Sequence, residues 1–147
     1  MEAQSMLQIS NDLMQSQLTR VCSDLTDEQV RYGHEAVDER GIGNIVSHLY
    51  SSVVNRSRAV AGLDRAQPPD PPQTAATLLA FIDDAHRQAA ENIGKITDAQ
   101  LLAVVKLPFG EFPGCVAMAD GFSHAFRHIG CVLDTRHLGG FETHALG

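Results

Sequence analysis

Apolar residues recur at helical spacing over four long stretches of this chain, and strand-like alternation is nearly absent. The first stretch runs from about Ala3 to Cys22, with Leu7, Leu13, Met14, Leu18 and Val21 on one stripe and Ile9 off it. The second runs from about Ile42 to Leu63, where Ile42, Ile45, Val46, Leu49, Val53, Val60 and Leu63 share a flank. The third runs from about Thr74 to Ile96 on Leu78, Phe81, Ile82, Ala85, Ala89 and Ile93. The fourth starts near Pro113, a residue suited to a first turn, and reaches about His137 before Gly139-Gly140 ends it.

Between these stretches the punctuation is explicit. Thr26-Asp27-Glu28-Gln29 and Thr97-Asp98-Ala99-Gln100 carry the Thr-x-x-Gln capping pattern and open short helical turns. Residues 33–41 read as a loop between Gly33 and Gly41. Four prolines within Pro68–Pro72 forbid helix and favour an extended path, so the second and third helices need not be antiparallel neighbours. Val104 to Phe112 reads as a short hairpin or an irregular loop. The tail from Phe141 to Gly147 reads as frayed. The expected architecture is all-α: a four-helix bundle with one long crossover linker, in a single domain over residues 1–147.

Composition narrows the function classes. The chain has 147 residues and a net charge of −7, with 11 basic residues against 18 acidic ones and no basic cluster, which speaks against nucleic-acid binding. Its longest apolar run, Leu101–Val105, is far short of a membrane span, and its N-terminus lacks the pattern of a signal peptide, so a cytoplasmic location without membrane contact is expected. Cys22, Cys115 and Cys131 are odd in number and unpaired in spacing, as expected of free thiols in a reducing compartment.

The chemistry lies with histidines. His124 and His128 are four apart and therefore neighbours on one helical face, among the small residues Ala117, Gly121 and Thr135. His48 sits mid-way along the second helix at the edge of its apolar flank, with Asn44, Ser52, Asn55 and Ala59. Its side faces either bulk water or a polar pocket between helices, and the spacing leaves both open. Three imidazoles meeting at one point would hold zinc, nickel, copper or iron(II), the ions that neutral imidazole suits, with a coordination position open. Asp120, one turn before His124, is a candidate to orient a ligand, to ligate directly or to act as a general base. Cys131 is a candidate to close the site as a thiolate.

Three segments resemble the DinB/YfiT-like superfamily. Asn44-Ile45-Val46-Ser47-His48-Leu49 is similar to its His-Leu signature on the second helix. Phe122-Ser123-His124-Ala125-Phe126-Arg127-His128-Ile129-Gly130 is similar to its last-helix His-x-x-x-His-x-Gly motif, and Ser23–Gln29 is similar to its Leu-Ser/Thr-x-Glu-Gln segment. The resemblance implies a usually dimeric four-helix bundle with its metal triad on His48, His124 and His128. It also implies use of a low-molecular-weight thiol by characterised branches. Cys131 stands where the family often has glutamine, and the chain has no tryptophan where the family often has one near Ile45; both touch the presumed pocket. Arg136 matches a basic residue of relatives, with two roles open to it: binding an acidic thiol or substrate, or meeting the dipole at the helix end.

The expected function is that of a divalent-metal-dependent S-transferase that uses a small thiol and a small-molecule substrate and works as a homodimer. The alternatives are a metal-dependent hydrolase and a non-catalytic dimeric module for binding or stress response.

Overall fold

Thr26, Thr74 and Thr97 each open a helix in the same way. The threonine hydroxyl accepts from the backbone N–H three residues on, and the side chain at that position returns to the threonine N–H. Two of these boxes use Gln29 and Gln100 and are visible in the sequence; the third uses Thr77 and escapes the pattern. The computed structural model describes residues 2–143. In chain order its elements are α1 (Glu2–Cys22), α2 (Asp27–Arg31), α3 (Ile42–Ser47), α4 (Asn55–Val60), α5 (Ala75–Lys95) and α6 (Asp98–Leu102). The strands β1 (Val104–Leu107) and β2 (Gly110–Pro113) precede α7 (Gly114–Gly139). The protein is mostly helical. Its one sheet among the described residues is this antiparallel hairpin, which settles the open reading of residues 104–112.

The second expected helix is interrupted. Between α3 and α4, Tyr50–Val54 form a π-helical segment in which the Asn55 N–H reaches the Tyr50 carbonyl. The cause is local. The Ser51 and Ser52 hydroxyls and the Ser52 N–H all donate to the His48 carbonyl, at 3.0, 2.8 and 2.9 Å. The His48 carbonyl keeps its ordinary i→i+4 bond while accepting two hydroxyls as well, a pattern that bends a helix, and the next turn widens to i→i+5 bonding.

The core draws on every long helix: Met14, Leu18 and Val21 of α1, Ile42 and Ile45 of α3, Leu78, Ile82 and Ile93 of α5, and Met118, Ala125 and Val132 of α7. On α1 the expected stripe is partly displaced. Leu13 is exposed, together with Met6 and Ile9, while Asn11 is buried. The reason is a row of amides: Gln4, Gln8 and Asn11 donate to the carbonyls of Ile93, Ala90 and His86 on α5, at 2.8, 2.9 and 2.9 Å. These bonds turn that row, rather than the Leu13 row, toward α5. The linker is pinned by Asn55, whose side chain both donates to the Ala66 carbonyl and accepts from the Ala66 N–H.

Helix α7 ends as the sequence suggests, on Gly140 in the left-handed region at φ 75°. Phe141, expected to fray, instead packs edge-on against Tyr32, with ring centroids 5.4 Å apart. His144 and the rest of the tail lie outside the described residues. No helix among the described residues is long and apolar enough to cross a membrane.

Candidate functional site

Gly121 lets the histidine helix come close to its neighbour. A Cβ at this position would collide with the Ser52 carbonyl oxygen, so only glycine permits α7 to lie directly on the π-helical segment. That approach carries His124 and His128 to the level of His48, which caps α3 at the start of the widened turn. His48 Nδ1 and His128 Nε2 stand 3.3 Å apart, and their rings meet edge to face with centroids 4.7 Å apart. The His124 ring lies against that of His128, at 4.6 Å between centroids. The structure therefore gathers the three histidines, each half-buried.

The rings face two different hollows. His48 and His128 line one with Cys131 and the loop residues Asp38 and Arg40. His124 lines another, with Arg56 and the hairpin residues Leu107 and Phe109. Ser52, Asn55 and Ala59 line that second hollow, so the polar side of the second helix faces a pocket.

Burial decides the charge state of the close pair. Desolvation, helped by the neighbouring histidines and Arg127, pushes His128 from its ordinary 6.5 down to about 4. Desolvation also lowers His48, against the pull of Asp38. Both rings are thus neutral near pH 7, the form in which a lone pair is free to bind an ion or accept a hydrogen bond. Burial raises the Cys131 thiol, and Asp134 and Asp38 raise it further, so it is a protonated thiol at neutral pH.

Asp38 is a residue the sequence did not point to. Burial disfavours its charge, but hydrogen bonds from Arg40 and Asn44 outweigh this and hold its carboxyl below the ordinary range. Its oxygens accept from the Arg40 N–H at 2.9 Å and from Asn44 Nδ2 at 2.7 Å. The only available signal was its place two residues ahead of Arg40, where an aspartate can fold back on the backbone.

Asp120 pairs with Arg56 Nη1, and that hydrogen bond holds its carboxyl below the usual range. It lines the hollow shared by Arg56 and His124, and its hydrogen bond goes to the arginine. Arg136 is not part of either hollow. It is buried near the C-terminal end of α7, where Nη1 and Nη2 fork onto Asp24 at 2.7 and 2.9 Å. Nη1 also donates to the Val21 carbonyl and Nε to the Phe141 carbonyl. All three guanidinium nitrogens are committed to fastening α1 to α7 and the tail, which leaves none for a thiol or substrate.

Among the described residues, no three His, Cys, Asp or Glu side chains are set, as placed, to hold a metal ion. The close pair nevertheless fits one. Two nitrogens sharing a tetrahedral ion at about 2.0–2.1 Å stand roughly 3.3–3.4 Å apart, and His48 and His128 stand 3.3 Å apart. Without an ion the same spacing is a long N–H···N hydrogen bond. The His124 ring lies beside the pair and would have to turn to bring a nitrogen to the same point. The chain matches no family model and no curated protein.

Proposed function

We propose that this chain is a divalent-metal-dependent enzyme of DinB-like, four-helix-bundle architecture, and most concretely a small-thiol S-transferase. The observation that supports this reading best is the 3.3 Å approach of His48 to His128 from two different helices, with His124 beside them. His48 and His128 would hold a zinc or nickel ion through rings that are already neutral near pH 7; the ring that donates in their mutual hydrogen bond would pass to its other tautomer, with no net loss of a proton. His124 would complete the set. When bound, the ion supplies Lewis acidity that favours the deprotonated form of a thiol at neutral pH.

The chain's own groups do the remaining work. Asp38 holds negative charge beside the histidine pair, clamped by Arg40 and Asn44. Cys131 lines the same hollow and would add a sulfur donor only by losing its proton. Asp120, ionised and bound to Arg56, is better suited to fixing that arginine than to taking a proton. A homodimer would find an apolar face on α1, where Met6, Ile9 and Leu13 are exposed.

Metal analysis tests the proposal directly. Protein purified without a histidine tag should carry close to one zinc or nickel per chain, and the H48A/H124A/H128A variant essentially none. Equal metal content in the two samples defeats the assignment.

A further inference from the structure

Arg56 is an uncommon residue to find where it is. It is buried at 6% exposure on α4, in a chain whose charge is strongly acidic. Asp120 meets only its Nη1, the Ala117 carbonyl lies at a marginal 3.5 Å, and its buried Nε has no hydrogen-bond partner among the described residues. A buried guanidinium left short of acceptors is costly, and such a group calls for an explanation.

The surroundings supply one. The hollow beside Arg56 encloses about 390 Å³ and reaches to His124. Two more cations line it: Arg65 from the linker and Lys106 from β1, one of only two lysines in the chain. Its other walls are mixed: Ser51, Ser52 and Asn55 on one side, and apolar side chains on the other. Leu107 and Phe109 come from the hairpin, and Arg56 lies under the Phe109 ring at 4.9 Å. Phe109 is itself 59% exposed, an aromatic surface facing outward from a turn. Three cations from three separate segments thus line one cavity of small-molecule size.

We propose that this hollow is the binding site for a small organic carboxylate with an apolar or aromatic body. Arg56, Arg65 and Lys106 take the carboxylate, and Leu107 and Phe109 pack against the body. A carboxylate matches the planar fork of arginine. The apolar walls favour an organic acid over inorganic phosphate, which would leave them bare. The inference deepens the reading above by naming the substrate class, and it rests on that reading for the reaction but not for the binding. The site shares no lining residue with the hollow that holds Cys131, and it meets the histidines at His124.

The test uses the full chain stripped of metal. Benzoate, benzamide and inorganic phosphate are titrated separately while backbone amide NMR shifts are followed. Benzoate should bind at millimolar concentration, with shifts at residues 51–56, 106–109 and 124. Benzamide and phosphate should each bind roughly tenfold more weakly. The R65Q/K106Q variant changes two surface cations, so it should fold normally, and it should weaken benzoate binding by about three- to tenfold. Equal binding of benzoate and benzamide, shifts elsewhere, or an unaffected R65Q/K106Q variant overturns the proposal. Benzoate binding should survive in H128A, whose side chain is outside this hollow. Loss of metal from H128A therefore reports on the ion alone, while loss of benzoate from R65Q/K106Q reports on this hollow alone.

Discussion

Arg56 and Arg136 are both buried, and the structure treats them in opposite ways. Arg136 has every nitrogen bonded: a forked carboxylate, two backbone carbonyls and a nearby aromatic ring. Arg56 lies under the Phe109 ring, but its hydrogen bonds to Asp120 and, marginally, Ala117 all fall on Nη1, and its buried Nε has no partner among the described residues. A saturated buried cation holds parts together, whereas an unsaturated one lining an open hollow has bonding capacity to spare. The same contrast separates the two ends of α7. The Arg136 end fastens α1 and the tail, and the opposite part gathers histidines around open space.

Replacing each arginine by methionine should separate the two roles. R136M removes four hydrogen bonds inside the protein and strands the Val21 and Phe141 carbonyls. It should cost about 3 kcal/mol in urea unfolding. R56M exchanges an under-bonded charge for an apolar side chain of similar length and leaves Asp120 free in water. It should stay within about 1 kcal/mol of the parent, or exceed it. Equal losses in the two variants would erase the distinction.

A glycine pair gives the next largest effect. G121A places a methyl group against the Ser52 carbonyl and should destabilise by about 1–3 kcal/mol, separating His48 from His128. Gly130, about two and a half turns along the same helix, has nothing within reach of an added Cβ. G130A should therefore gain roughly 0.5–1 kcal/mol from helix propensity. If both alanines stabilise, α7 does not rest on the π-helical segment as described.

The smallest effect is one of pH. The hydrogen bond from Arg136 lowers the Asp24 carboxyl below its ordinary value, against a smaller opposing effect of burial. A depressed folded value means that the pair's stabilisation is present above about pH 4 and fades as pH falls through the folded value. Asp24 is 59% exposed, so the slope should be shallow. D24N should remove it, as read from urea midpoints between pH 5 and pH 2. An unchanged slope would assign the acid sensitivity to other carboxylates.

The long helices were legible because their burial is periodic and their ends carry ordinary capping chemistry. His124 and His128 were legible as a pair because four residues along one helix fix their relation. His48 was harder. Its position on a regular wheel left two orientations open, because the widened turn just after it is produced by serine hydroxyls rather than by any apolar pattern. Asp38 stayed hidden in a loop, where periodicity carries no information. Arg56 was hidden for a different reason: a basic residue is expected in water, and only tertiary structure shows one drawn inward beneath Phe109. Leu13 shows the reverse, an apolar residue left outside because amide donors claimed the contact with α5.

The π-helical turn acts as a phase shifter. On an unbroken α-helix, His48 and Arg56 would diverge by about 80°, because eight steps of 100° overshoot two full rotations. One surplus residue absorbed in the loop of wider bonding makes those eight steps count as about seven, which brings the two within roughly 20° of alignment. A single-codon insertion is enough to produce such a turn, and a single deletion is enough to undo it. The bearing of Arg56 on His48 is therefore a property that one insertion or deletion would reset, together with that of every residue of α4 on every residue of α3.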